Sequence, residues 1–222
     1  MKSKSVLYSA VLSSTLLVTS CAVHVSANSQ NGYQDLDTVL GGVTVEHNAK
    51  VRDISSVNGG VSLGSKAIAR NVDVVNGGVD IADDVSLRNL ETVNGGISAG
   101  KGLQVEYSIE TVNGGIDLRE GSKVGKNVIT VNGDINLNRV VVLQNVKTIN
   151  GDIRLLEGSV VNGDIIVERS EGWFSGWNED ELIIKIDESS SVTGKIHLYK
   201  PVKLEIAETA KVGEIMYHYA RK

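Results

Sequence analysis

The chain has 222 residues, with 24 Gly, 1 Pro, 1 Cys, 2 Trp, 6 Tyr and 1 Phe, and Val, Ile and Leu supply most of its apolar content. Few aromatics and recurrent Gly argue against a helical bundle or an ordinary α/β enzyme and for a repetitive β architecture. A net charge of −5 argues against nucleic acid as a partner, and one cysteine excludes an intramolecular disulfide.

The first 20 residues read as a secretory signal. Lys2 and Lys4 form a basic start, and Val6 to Val18 is a short apolar stretch. That stretch is too short to cross a bilayer, which takes roughly 20 residues. It ends in Leu17-Val18-Thr19-Ser20-Cys21, where the sole cysteine stands at the expected cleavage position. The pattern resembles a bacterial lipobox, which implies lipidation of Cys21 and, with Ala22 rather than Asp following, delivery to the outer membrane. Two or more acyl chains hold a protein on a membrane where one does not. Residues 21–36, rich in Ser, Asn and Gln, read as the lipidated cysteine followed by a flexible tether.

From about residue 37 the chain repeats. Val57-Asn58-Gly59-Gly60 recurs at Asn76, Asn94 and Asn113, then as Val131-Asn132-Gly133-Asp134 and Ile149-Asn150-Gly151-Asp152. Successive asparagines are 18 or 19 residues apart. Within each unit apolar residues alternate with polar ones, which marks short strands buried on one face. The reading is an all-β, single-stranded, three-sided parallel β-helix of about nine coils over residues 37–216. At about 4.8 Å per coil such a rod is roughly 40 Å long. In the middle of it Val93 is taken as inward and Glu91 as outward.

The Asn-Gly pair fits a bend, because Gly accepts φ > 0 and Asn tolerates the left-handed region. Asn58, Asn76, Asn94, Asn113, Asn132 and Asn150 are expected to stack as a structural ladder. One insertion, at about 170–181, breaks the period and carries Trp173, Phe174 and Trp177. These are candidate partner contacts, since loop aromatics bury much area at low entropic cost, with shielding of the solenoid as the alternative. Residues 217–222 form a C-terminal tail.

Little in the sequence points to chemistry. His24, His47, His197 and His218 have no metal-ligand spacing, and no nucleophile motif or phosphate loop occurs. No catalytic residue, cofactor or metal is expected. Asp134 and Asp152 would lie one coil apart, close enough for calcium if unpaired, whereas Asp164 belongs to another side. Thr92, Thr111, Thr130 and Thr148 form a further row, which the β preference of threonine explains.

The Val-Asn-Gly-Gly/Asp repeats, the Gly-Trp-Phe-x-x-Trp insertion and the closing Leu-Glu-Ile…Ala-Lys-Val-Gly unit resemble exported β-solenoid proteins of Gram-negative bacteria, a group with no established activity. More loosely, the coil length resembles the bactofilins, which assemble end to end, although those lack a signal and lipobox. The resemblance implies a non-enzymatic outer-membrane lipoprotein whose solenoid is a scaffold or binding surface. An envelope protein or polysaccharide is then the expected partner. The alternatives are a self-assembling, bactofilin-like homo-oligomer and, less favoured, a carbohydrate-active β-helix enzyme.

Overall fold

The computed structural model describes residues 25–28, 33–169 and 181–220. They form a three-sided parallel β-helix with no α-helix. Each coil runs through a first side such as Val61–Leu63, a short second side such as Gln104–Val105, and a long third side such as Asp53–Asn58. Like sides stack in register into sheets of ten, seven and ten strands among the described residues. Ile97 lies beside Val79 and Ile116, and Asn94 beside Asn76 and Asn113. The coil count agrees with the repeat read from the sequence.

Alternation sends two residues inward from each middle strand of the first and third sides and one from each strand of the short second side. In one middle coil Ile116 and Leu118, Val124, and Val128 and Thr130 all face the interior and are fully buried. Their neighbours in the next coil have the same character, so aliphatic rows run unbroken along the axis. A narrow, dry interior of this kind has no room for large rings, which accounts for the scarcity of aromatics.

Three expectations change. Val93 is 41% exposed while Thr92 is 3% exposed, so the valine of the motif faces solvent and the threonine faces in. The strand alternates strictly as far as Thr92 and then turns the corner, leaving Val93 and Asn94 both outside. Inside, Thr92, Thr111 and Thr130 donate their hydroxyls to the carbonyls of Gly77, Gly95 and Gly114 in the preceding coil, at 3.3, 3.1 and 3.0 Å. A threonine here satisfies a corner carbonyl that valine would leave unpaired.

The glycine after each asparagine is also required for another reason than the one read from sequence. Of the six Asn-Gly glycines only Gly133 has a positive φ, 151°. A Cβ on Gly95 would stand 2.1 Å from the Gly77 carbonyl oxygen, and one on Gly151 would stand 1.9 Å from that of Gly133. The coils approach too closely at this corner for any side chain.

Finally, Val25–Ala27, within the stretch read as a tether, is a strand paired in parallel with Val43–Val45. Leu36, the last tether residue, already opens the strand Leu36–Leu40.

Candidate functional site

The outer face of the third side is where the repeat departs from a neutral, self-paired surface. Its strands bring Asp73 opposite Glu91 and Glu91 opposite Glu110. Two residues further along the same strands, Val75, Val93 and Val112 form an exposed ridge. The carboxylate column and the valine ridge wall a groove of about 360 Å³ that runs along the solenoid axis.

Like charges directly opposite on neighbouring strands are destabilising. Elsewhere such columns are neutralised between coils: Arg52 pairs with Asp35 at 2.8 Å, Arg70 with Asp53 at 2.6 Å and Lys147 with Glu168 at 2.6 Å. Among the described residues no cation pairs with Asp73, Glu91 or Glu110 at ion-pair distance. Partial burial, reinforced by Glu91 and Asp53, raises the Asp73 carboxyl above its ordinary pKa. Burial and Glu91 raise Glu110 likewise, and Lys147 offsets this only in part. Asn89 donates to the Glu91 carboxylate, which orients it without neutralising it.

A second hollow, of about 460 Å³, lies at the corner between the second and third sides, beside Arg52, Arg70 and Arg88. Arg52 and Arg70 are committed to their carboxylates, and Arg88 to the Tyr107 hydroxyl and, more distantly, Glu106. It is a paired ladder, with little charge to offer.

The six asparagines of the motif hydrogen-bond from coil to coil. Asn76 donates Nδ2 to Asn58 Oδ1 at 2.9 Å, and Asn94, Asn113, Asn132 and Asn150 each donate to the preceding asparagine at 2.8–2.9 Å. Asn58 donates to the Val39 carbonyl at 3.3 Å, and Lys200, itself buried, donates Nζ to Asn150 Oδ1 at 2.8 Å.

Asp134 and Asp152 are one coil apart but not unpaired. Arg154 bridges them, at 2.9 Å to Asp134 and 2.6 Å to Asp152, which removes the basis for calcium there. Asp164 is on a different side, where its Oδ1 accepts the Lys195 amide. His197 and His218, unremarkable in spacing, meet across adjacent coils with ring nitrogens 3.1 Å apart, and Tyr199 stacks on His218. No group of three or more metal-ligating side chains suited to a metal ion occurs among the described residues. Cys21, Trp173, Phe174 and Trp177 lie outside the described residues.

The groove was legible in principle. Asp73, Glu91 and Glu110 each stand two residues before a motif valine, so acid-x-Val recurs at the coil period. That reading requires the valine to be outside, and the sequence alone placed it inside. Comparison with known proteins adds nothing to this geometry: no family model, curated protein or solved structure matches the chain.

Proposed function

We propose that this chain is a non-enzymatic lipoprotein of the bacterial envelope, held at the outer membrane through Cys21, whose solenoid is a rigid scaffold presenting a binding surface. The observation that carries the binding reading is the unpaired carboxylate column beside an exposed valine ridge. A face kept only for solubility has no need to hold like charges opposite one another. Rigidity supports the same reading, because every coil is hydrogen-bonded to its neighbours and the surface is ordered before a partner arrives. The anchor rests on the sole cysteine at the end of the signal-like segment. No helix among the described residues is long and apolar enough to cross a membrane.

The partner is an envelope component, with the insertion bearing Trp173, Phe174 and Trp177 as a second contact region. Cell fractionation tests the anchor: wild type sediments with outer membrane, and Cys21→Ala moves to the soluble periplasmic fraction. Affinity capture from envelopes, with the insertion intact and deleted, tests the binding role. Sedimentation of Cys21→Ala with outer membrane, or empty captures in both forms, would overturn the corresponding half of the reading.

A further inference from the structure

We propose that the groove on the third side takes an amphipathic helix of a partner protein, laid along the solenoid axis, with a row of Lys or Arg on Asp73, Glu91 and Glu110 and an aliphatic flank on Val75, Val93 and Val112. This rests on the reading of the solenoid as a binding surface and names the chemistry of what binds there.

Charge and apolarity limit the occupant first. Three carboxylates opposite one another, none in an ion pair and only Glu110 partly offset by Lys147, call for positive charge, and the ridge two residues away calls for an apolar surface moving in parallel with it. No group of three or more acidic, histidine or cysteine side chains among the described residues could hold a metal ion, so a chelated metal does not meet the demand. A small polyamine would neutralise the column and leave the ridge wet.

Backbone geometry then excludes an added strand. The strands that carry the groove, from Asp53–Asn58 to Val128–Asn132, lie inside a ten-stranded sheet and are paired on both edges. Their amides and carbonyls are spent, so a peptide cannot join this face as a further strand and must bind through side chains.

Spacing selects the helix. Coils rise about 4.8 Å, so the three carboxylates span about 10 Å. Side chains at i, i+4 and i+7 of a helix cover about 10 Å at 1.5 Å per residue, keeping three cations on three acids. An extended chain places same-face side chains about 6.6 Å apart and drifts by most of a coil over the same three contacts. A helix also carries its second row, basic beside aliphatic, at the width of two neighbouring outward positions on one strand.

The test uses the purified full chain and a labelled peptide of about 15 residues with Lys at i, i+4 and i+7 and Leu along the adjoining flank. A permuted peptide of identical composition and spermine are the comparison probes, with binding read by fluorescence anisotropy. The expected result is saturable, salt-sensitive binding of the amphipathic peptide about tenfold tighter than of the permuted one. Glu91→Gln with Glu110→Gln, and separately Val93→Ser with Val112→Ser, should each weaken it about tenfold while the thermal melt is kept. Equal binding of the permuted peptide, tight binding of spermine alone, or no effect of either pair of substitutions in a folded variant would overturn the proposal. If the peptide fails while envelope capture by the same protein succeeds, the helix assignment falls and the binding role stands.

Discussion

Two corners of the same coil solve the problem of turning the chain in opposite ways. At the corner after the third side, the glycine following each asparagine sits against the glycine of the preceding coil. The gap closes to 1.9–2.4 Å from a hypothetical Cβ to a carbonyl oxygen at Gly59, Gly77, Gly95, Gly114, Gly133 and Gly151. At the corner after the first side, seven successive coils take a left-handed φ at Asn48, Lys66, Asp84, Gly102, Gly121, Arg139 and Glu157, the last followed by Gly158 at 87°. The φ values of these seven, 52–78°, repeat as faithfully as the glycine contacts, yet five of the seven carry side chains. A close approach between backbones is an absolute demand on volume. A left-handed dihedral costs an ordinary residue only about 1–2 kcal/mol, which a well-packed coil absorbs.

The comparison is most severely tried at Gly95. Gly95→Ala should destabilise the solenoid by about 3 kcal/mol, because the methyl must displace the Gly77 carbonyl and the coil that carries it. Chemical denaturation monitored by circular dichroism checks it, and a change below about 1 kcal/mol would mean the corner yields more easily than its distances imply.

Asn94→Ala, at the same corner, removes one donated and one accepted amide hydrogen bond of the ladder. The bonds are exposed, so the expected loss is about 1 kcal/mol, read from the same denaturation curves. A loss as large as that at Gly95 would show that the ladder, rather than the glycine contact, holds the corner.

The smallest effects belong to the other corner. At Gly121 a Cβ meets nothing nearer than 3.6 Å, so Gly121→Ala should cost only the dihedral, about 1 kcal/mol. Lys66→Gly removes that cost and adds unfolded-state entropy, for a net gain of about 0.5 kcal/mol in thermal or chemical melts. Reversal of either sign would erase the distinction between the two corners.

The same contrast explains what could be read from the sequence. The fold was legible because the glycine contact admits one residue type, so Asn-Gly recurs in six successive coils and announces the period. The left-handed corner was invisible, since Asn, Lys, Asp, Gly, Arg and Glu in turn leave no common letter. Hydropathy ranks valine inside and so misplaces Val93, and it gives its neighbour Thr92 no face. What hydropathy misses is a carbonyl of the preceding coil that the inward hydroxyls of Thr92, Thr111 and Thr130 satisfy. The groove stayed hidden with them, as it exists only if the valine is outside. The pairing of Asp134 and Asp152 through Arg154 was hidden too, because it depends on which positions stack two residues after the corner.

The asparagine ladder gives the rod an electrical direction. Every rung donates toward the preceding coil, so the side-chain amide dipoles add, as peptide dipoles do in a helix, and hydrogen bonds in such a chain polarise one another. The donor end rests on the Val39 carbonyl, and the acceptor end, where negative partial charge accumulates, receives the ammonium of Lys200. Lys200 reaches that end from beyond the insertion, 50 residues along the chain from Asn150. One cation thus terminates a column of dipoles built by six coils, and a protein whose sequence repeats almost without change nevertheless has two inequivalent poles.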